Sequence, residues 1–241
     1  MTLITTVLNR CARECSIDAP DSWISTTEED HVALRDDFLL ETVDDILERL
    51  DLPSPISAQQ VITGDGSEDY SLNSNFKRLQ RDAMAVYETT TNRRACIPVT
   101  DDGTWLHIGE LGTAGVERYY RLKGYEGNWT ISFYQNPTSG ISITVSYVTT
   151  NWKADSSGTA GSEFTDSEDV LLLPRRAVEL GTVMRFRMRN GLDPSAHRLA
   201  YEAELNRLSN DRRVRRSVNF GEPEARVAPW DVPVPDYIPA S

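Results

Sequence analysis

Histidine and cysteine are scarce in this sequence, which has three of each among 241 residues. The histidines are His31, His107 and His197; none has metal-ligand spacing or stands in a nucleophile motif. An odd number of cysteines argues against a disulfide framework. Cys11 and Cys15 are four residues apart, but no second Cys or His pair completes a zinc site, so we interpret them as core or surface residues. The sequence therefore predicts no enzyme, no metal and no cofactor.

Long apolar runs are also missing. No run approaches the roughly 20 residues that a membrane span requires, so the sequence predicts no membrane-spanning segment. The opening residues, MTLITTVLNRCARECS, lack a basic n-region and a cleavage site. They are typical of a short helix and not of a signal peptide. We therefore expect synthesis in a reducing cytoplasm.

The spacing of apolar residues changes twice along the chain. Residues 1–52 have a helical period and contain two helices, which prolines terminate. Residues 53–168 have a period near two, interrupted by Gly, Asn, Asp and Pro clusters, which predicts an inserted antiparallel β domain. Residues 169–216 return to the helical period, and residues 217–241 hold five prolines and no period. We predict an α+β fold: a helical bundle from the N- and C-terminal parts, the β insertion, and an extended C-terminal tail.

Three local predictions follow from the same patterns. In the run NGLDPS, Gly191 is predicted to end one helix, and Asp193 and Pro194 are predicted to begin the next one as its N-cap and first residue. The segment DGTWLHIGEL interrupts the β pattern and is predicted to form a loop or a single helical turn. The last helix is predicted to turn five apolar residues inward: Ala196, Leu199, Ala200, Ala203 and Leu208.

Charge is distributed unevenly along the chain. The net charge is −12, yet residues 175–216 contain eleven arginines and five acidic residues. Three interpretations are open: a solvated helix face with i,i+4 ion pairs, DNA binding through the RRVRR run, and assembly in which arginines of one copy meet the acidic second helix of the next. Arginine suits assembly because its planar fork pairs with carboxylates. The predicted ring contacts are Arg175, Arg176, Arg185, Arg187, Arg189, Arg212 and Arg213.

Large aromatic residues are present in the proline-rich tail. Phe220, Trp230 and Tyr237 are spaced along residues 217–241. Aromatic side chains dominate the binding energy of many interfaces, so we predict that these three bind a partner. The alternative interpretation is a flexible end whose aromatic residues have no binding role.

An ordered string of residues resembles the head-to-tail adaptor proteins, also called head-completion or connector proteins, of tailed bacteriophages. The residues that carry the resemblance are Tyr119-Tyr120-Arg121, Tyr147-Val148, Asn151-Trp152, Asp166, Leu171-Leu172, Leu180-Gly181, Arg185, Gly191-Leu192-Asp193 and Tyr201-Glu202. The opening MTLITTVLNRCARECSIDAP is similar to the first helix of that family. The chain departs from the pattern at Met184-Arg185-Phe186, where the family usually has Trp-Arg, and residues 26–110 match weakly.

The resemblance implies a non-enzymatic homo-oligomer, a dodecameric ring that docks beneath the portal protein and extends the DNA channel. It implies that the ring attaches downstream tail, nozzle or fibre proteins, and that residues 217–241 grip the portal. DNA would pass through the channel without sequence-specific binding. The protein would be made in the host cytoplasm and reside in the virion. The alternative function is a DNA-binding packaging accessory protein that uses the basic C-terminal helix.

Overall fold

The computed structural model describes residues 2–81, 84–90, 94–111, 117–125 and 127–216. The fold is mixed α+β with several antiparallel sheets, in agreement with the predicted class. The tail 217–241, with the predicted partner-binding residues Phe220, Trp230 and Tyr237, lies outside the described residues.

Most of the helical residues lie near the two ends of the described chain. In chain order the helices are α1 (Ile4–Glu14), α2 (Glu29–Val32), a π-helical segment (Ala33–Phe38), α3 (Leu39–Arg49), α4 (Asp102–Leu111), α5 (Arg175–Arg189) and α6 (Ser195–Arg216). The helix α2, the π segment and α3 follow one another without a break, so together they form the long second helix that the sequence predicts. Within the described ranges, no helix combines the length and the apolar composition needed to cross a bilayer.

Helix α5 is the central helix of one apolar core. It packs on α1, on the π segment, on α3 and on α6. Its buried residues Ala177, Val183 and Phe186 belong to the same core as Ile4 of α1, and the ring of Phe38 meets Phe186 edge-on at 6.0 Å. Helices from the beginning and from the end of the described chain therefore share a single core.

The turn between α5 and α6 has the predicted chemistry. Gly191 has a φ of +66°, a conformation that glycine adopts without strain, and the amide of Leu192 donates to the carbonyl of Arg187 at 2.9 Å. The carboxylate of Asp193 accepts the amide of Ser195 at 2.9 Å at the start of α6. This turn fixes α5 and α6 as neighbours.

The strands of the described residues form three sheets. In chain order they are β1 (Thr2–Leu3), β2 (Ser57–Thr63), β3 (Asp69–Ser71), β4 (Phe76–Leu79), β5 (Val86–Glu88), β6 (Arg94–Ala95), β7 (Ile97–Pro98), β8 (Tyr119–Tyr125), β9 (Asn128–Tyr134), β10 (Ser142–Thr149), β11 (Lys153–Ala154), β12 (Ala160–Gly161) and β13 (Val170–Leu171). One sheet has the order β2-β10-β5-β6, with β4 also paired to β10, and a second has the order β3-β9-β8-β7. Phe76 and Tyr147 of the first sheet and Phe133 of the second belong to one core between them. We call the strands of these two sheets together the β sandwich.

The third sheet connects the start of the chain to the segment that precedes α5. Its order is β1-β13-β11-β12, and β1 pairs antiparallel with β13, with Thr2 opposite Leu171. The amide of Ile4, the first residue of α1, donates to the carbonyl of Asp169 at 3.0 Å. The side chains of Trp152, Leu171 and Leu173 belong to the helical core and not to the core of the sandwich.

A buried ion pair stabilises this third sheet. The Nζ of Lys153 lies 2.9 Å from both carboxylate oxygens of Asp169, which is fully buried. The amides of Thr165 and Asp166 donate to the same carboxylate at 2.9 and 3.0 Å. Burial alone would raise the pKa of Asp169, but these amide donors and the Lys153 ammonium outweigh it, so the pKa lies below its ordinary value. The loop between β12 and β13 therefore ends in an ionised carboxylate, which accepts amides from the same loop.

The structure corrects two of the local predictions. DGTWLHIGEL contains the ten-residue helix α4, whose Trp105 is buried under the guanidinium of Arg121 at 4.5 Å, and not a loop or a single turn. Helix α6 turns a different face inward from the predicted one. Leu199 is 73% exposed, and Ala196 and Ala203 are exposed too. Within residues 195–211 of α6, the buried residues are Tyr201, Glu204 and Leu205, and Ala200 and Leu208 are partly buried.

Replacing Asp169 by Asn is expected to lower the free energy of unfolding by about 3–5 kcal/mol near pH 7, because the Lys153 ammonium stays buried without its counter-charge. The folded-state pKa of Asp169 lies below that of the unfolded chain, so the unfolded chain binds the proton first on acidification. The wild-type chain should therefore lose this contribution as the pH falls from about 4 through the folded pKa, and Asp169→Asn should lack that component of the pH dependence.

Urea unfolding followed by circular dichroism at neutral and acidic pH measures both effects. Glu163→Gln is the matched control, because it removes an exposed carboxylate from the same segment and should change stability by less than about 0.5 kcal/mol. Equal stability losses for the two variants at neutral pH would contradict the assignment of the buried pair as a stabilising element.

Candidate assembly site

Helix α5 crosses α3 and α6 at a glycine. An ideal Cβ on Gly181 would lie 2.4 Å from Cγ2 of Thr42 in α3 and 3.0 Å from Cε2 of Tyr201 in α6. Both distances are much shorter than the separation at which two carbon atoms attract each other. The three helices can approach this closely only because position 181 has no side chain.

Arg185 lies one helical turn after this glycine and contacts α3 through several atoms. Its Nη1 donates to Oγ1 of Thr42 at 3.1 Å, its Nε lies 3.5 Å from Glu41 and its Nη2 lies 3.4 Å from Asp45. The guanidinium also lies 5.8 Å from the centre of the Tyr201 ring, within the range of a cation–π contact. Only 16% of the Arg185 side chain is exposed. This predicted ring-contact residue therefore connects α5, α3 and α6 within one chain.

Two polar contacts join α6 directly to α3. The hydroxyl of Tyr201 donates to the carboxylate of Asp45 at 2.7 Å, and burial, followed by this hydrogen bond, raises the pKa of Tyr201. Arg49 binds both carboxylate oxygens of Glu202, with Nη1 at 2.8 Å from Oε1. The hydrogen bond from Arg49 is the main reason that the pKa of Glu202 lies below its ordinary value. We call the residues at this crossing the crossing network: Glu41, Thr42, Asp45, Arg49, Gly181, Arg185, Tyr201 and Glu202.

The crossing network contains four of the residues that carry the family resemblance. Gly181, Arg185, Tyr201 and Glu202 are separated by up to 21 positions in sequence, and the structure brings them to one crossing of three helices. None of them is a free nucleophile or an open carboxylate pair. Their arrangement supplies close packing, ion pairing and hydrogen bonding between helices, which is a structural task.

The other predicted ring-contact arginines of α5 lie nearer to the surface. Arg175 donates through Nε to Glu179 at 2.6 Å, Arg189 donates through Nη1 to Asp37 at 2.8 Å, and Arg187 donates through Nε to the carbonyl of Asp193 at 3.1 Å. Arg176 is exposed. Arg212 and Arg213 belong to α6, but their side chains lie outside the described residues.

The acidic second helix therefore already has arginine partners within its own chain. Asp37, Glu41 and Asp45 pair with Arg189 and Arg185 of α5. The Arg189–Asp37 pair is exposed and contributes only about 0–1 kcal/mol, so Arg189 is able to exchange partners, whereas Arg185 is mostly buried. Contact between these arginines and a neighbouring copy stays a prediction.

A second polar cluster, which the sequence analysis missed, joins the β sandwich to the end of α3. Arg78 of β4 donates through Nε to the carbonyl of Leu47 at 2.9 Å and through Nη2 to the carbonyl of Leu50 at 3.0 Å. Its Nη1 donates to the carboxylate of Asp51 at 2.8 Å. The last carbonyls of a helix lack partners within the helix and carry its negative dipole end, so a cation is favoured here. Arg78, a residue of the β sandwich, therefore caps the C-terminal end of α3.

Lys77 and Arg81 extend this contact. Lys77 pairs with Asp44, and Nη2 of Arg81 donates to the carbonyl of Glu48 at 2.8 Å. We call Lys77, Arg78 and Arg81 together the basic joint. Its only sequence signal is the run FKRLQR, in which three cations stand in and next to a short strand, and their acidic partners lie about 30 positions earlier.

His31 and Cys15 lie in environments that suit a role in packing and not in catalysis. His31 is buried, lies 2.7 Å from the carbonyl of Asp18 and meets the ring of Trp23 edge-on. Burial raises the pKa of the Cys15 thiol to about 12, which keeps it protonated and weakly nucleophilic at neutral pH. In the part of the chain that the structure describes, no three His, Cys, Asp or Glu side chains are grouped to hold a metal ion.

Comparison with known families gives a match over most of the chain. The model of the family described as SU10 adaptor protein matches residues 2–226. The matched range includes the whole crossing network and the basic joint. No curated protein sequence matches the chain.

Replacing Gly181 by Ala is expected to lower the free energy of unfolding by about 1–3 kcal/mol, because the new methyl group would overlap Thr42 and Tyr201. Gly109→Ala is the matched control. A Cβ on this glycine of α4 would meet no atom within 4 Å, so the substitution should stabilise the helix by about 0.5–1 kcal/mol. Urea unfolding of both variants measures the difference. Equal changes in the free energy of unfolding for the two alanine variants would contradict the close crossing at Gly181.

Two fully buried threonines at this crossing should respond in opposite directions to valine. Oγ1 of Thr182 has no hydrogen-bond partner among the described residues, so Thr182→Val should raise the free energy of unfolding by about 1 kcal/mol. Oγ1 of Thr42 donates to the carbonyl of Phe38 at 2.7 Å and accepts from Arg185. Thr42→Val should therefore lower stability by about 1–3 kcal/mol. Thermal and urea unfolding would refute the network if Thr42→Val proved neutral.

Proposed function

The chain belongs to the SU10 adaptor protein family, and from this membership we propose that it is a structural protein of the bacteriophage virion that joins the head to the tail. In this proposal it performs no catalysis and uses no cofactor. Its copies form a ring, a dodecamer, beneath the portal protein, and this ring extends the DNA channel and attaches downstream tail, nozzle or fibre proteins. The protein is made in the host cytoplasm and resides at the head-to-tail interface of the virion.

The observation that carries the proposal is the crossing network. Family-pattern residues that are spread along α5 and α6 meet α3 at one point, where they pack helices closely and pair charges. A rigid protomer suits a ring, because the angle between neighbouring copies must be the same at every contact for the ring to close. The arrangement therefore supports a building block of an assembly.

The helical bundle formed by both ends of the chain makes the contacts between copies in this proposal. Arg176, Arg187 and Arg189 lie on or near the surface of α5, and Arg212 and Arg213 extend the basic character along α6. Their partners are the exposed acids of the second helix of the next copy. Arg175 contributes from the start of α5. Arg185 contributes indirectly, because its in-chain pairs hold α3 in place.

The two remaining parts of the chain take different partners. The tail 217–241 docks on the portal through Phe220, Trp230 and Tyr237, and the β sandwich faces the downstream tail components. The basic joint supports this division, because it holds the sandwich at a fixed position on α3. The overall acidic charge of −12 lets DNA pass along the channel without being trapped, since like charges repel.

The test uses the portal ring of the same phage. The full-length chain should decorate one end of the portal as a ring in electron micrographs, whereas a chain that ends after Ser217 should bind it at least about tenfold more weakly, because the aromatic contacts supply much of an interface's binding energy. A chain with the tail residues in scrambled order has the same composition and length, and it should also bind weakly.

Failure of the full-length chain to bind portal in both low and moderate salt would contradict the adaptor function. A salt-sensitive shift of duplex DNA by the free protein would then favour the DNA-binding alternative, in which the basic C-terminal helix contacts phosphates.

A further inference from the structure

Strand β2 is a long edge strand that carries no charge. It lies at one end of its sheet and pairs with β10 alone. Its seven residues, SAQQVIT, include no charged residue, proline or glycine. The register with β10 runs from Thr63 opposite Ser142 to Ser57 opposite Val148 without a bulge. Proteins usually protect an edge strand by making it short or by placing a charge, a proline or a bulge in it, and β2 has none of these protections.

The other three strands at the ends of the sandwich sheets are protected. β6 and β7 have two residues each, and they contain Arg94 and Pro98, respectively. β3 has three residues, and the side chain of Gln60 covers its free edge. The amide nitrogen of Gln60 donates to the carbonyl of Ser71 at 3.0 Å, and its oxygen accepts the backbone amide of Asn73 at 2.9 Å. Among the end strands of the described sandwich, β2 is therefore the one with an open edge.

Two hydrogen bonds show which residues of β2 point to the open edge. Just after β2, the amide of Gly64 donates to the carbonyl of Ile141 at 2.8 Å. Just before β2, the carbonyl of Ile56 accepts the amide of Thr149 at 2.8 Å. The even-numbered residues of the strand therefore face β10, and the odd-numbered residues face away, because the backbone groups of an antiparallel strand alternate in direction. The outward-facing residues inside the strand are Gln59, Val61 and Thr63.

The backbone groups of these three residues are open to a partner. No hydrogen bond from any described residue reaches the outward amides and carbonyls of Gln59, Val61 and Thr63. Their side chains are exposed as well, and Val61 is 63% exposed. A strand edge with unpaired N–H and C=O groups is a template on which a further strand can form.

A second copy of β2 fits this edge. In an antiparallel pair that is centred on Val61, this residue lies opposite Val61 of the second copy, and Gln59 lies opposite the second copy's Thr63. All three positions have outward backbone groups, so each of these pairs exchanges two hydrogen bonds.

Charge favours the same occupant. Each copy carries a net charge of −12, so two copies repel each other over most of their surface. Since β2 is uncharged along its whole length, a pair of β2 strands places no like charges opposite each other. The edge is therefore a place where two acidic chains meet without local repulsion.

We propose that two copies of the free protein pair through their β2 strands in this antiparallel register. The pairing joins the sheet of one copy to the sheet of the other and closes both open edges. A contact in which both copies use the same surface ends after two copies, so it is separate from the contacts that build a ring. The pairing belongs to the protein before assembly and stands independently of the proposed function.

Sedimentation velocity of the full-length chain at increasing concentration tests this pairing. The wild-type chain should shift from monomer to dimer, and the dimer should be weak because a strand edge buries less than the roughly 1,200–2,000 Å² of a stable interface. Val61→Lys should raise the dissociation constant of the dimer at least about tenfold, since it places two ammonium groups opposite each other. Leu199→Lys is the matched control, because Leu199 is also exposed and apolar but lies on α6. It adds the same charge and should leave the dissociation constant unchanged.

A mixture of two charge variants tests the position of the symmetry axis. Val61→Glu should weaken the dimer in the same way as Val61→Lys. An equimolar mixture of the two variants should recover the dimer, because position 61 of one copy lies opposite position 61 of the other. Circular dichroism confirms that each variant is folded.

Disulfide trapping tests the register. Opposite residues that exchange hydrogen bonds have Cα atoms about 5.5 Å apart, which is within the range of about 4.4–6.8 Å that a disulfide spans. Val61→Cys should therefore cross-link with itself under mild oxidation, whereas Gln59→Cys and Thr63→Cys should cross-link only when they are mixed. The wild-type chain is the control for background cross-linking, because its three cysteines are buried or partly buried.

Three results would overturn the proposal. The first is a wild-type chain that stays monomeric at about 1 mM, a concentration at which even a weak contact forms. The second is equal dimerisation of the Val61→Lys and Leu199→Lys variants, and the third is a Gln59→Cys chain that cross-links with itself as fast as Val61→Cys. A monomeric chain whose β2 amides become protected from hydrogen exchange only when a tail protein is added would assign the edge to a strand of that protein instead.

Discussion

The close approach of α5 to α3 at Gly181 is the constraint on which the helical part of this protein depends. With no side chain at this position, Thr42 and Tyr201 reach the backbone of α5, and their hydroxyl groups come within range of Arg185 and Asp45. A larger residue would separate the helices and stretch every polar contact around them at once. The ion pairs of the crossing network therefore all depend on the absence of a side chain at Gly181, and a larger residue there would weaken them together.

In the folded chain, the separated basic and acidic segments of the sequence pair with each other, whereas the sequence alone also allowed pairing between copies. The arginines of α5 and the acids of the second helix are separated by more than 120 positions, and an interaction between two copies was one natural interpretation of them. Arg185 and Arg189 instead meet Asp45, Glu41 and Asp37 within one chain. Charges at a subunit boundary would add to this internal pairing and would compete with it where the in-chain pair is exposed.

Sequence patterns predicted the class of the fold, the long second helix, the turn chemistry at Gly191 and the family, which the match over residues 2–226 confirms. They predicted the wrong buried face of α6, because two different sets of residues on that helix recur with the helical period. Only the position of Tyr201 against Gly181 and Asp45 decides between them. Helix α4 was missed because Gly103 and Gly109 weaken its helical propensity, and Trp105 compensates through a contact with Arg121. The basic joint was missed because its partners are distant in sequence. The domain boundaries and the site residues stay predictions.

The pairing of β1 with β13 has a consequence for how the chain is synthesised. Thr2 and Leu3 leave the ribosome first, but their partners at Val170 and Leu171 follow about 170 residues later, which takes roughly 10–35 s at typical rates of translation. For most of this time the first helix lacks α5, which packs on it in the folded chain. A chain whose translation stops before β13 cannot close the third sheet, so an incomplete product would lack a finished helical region.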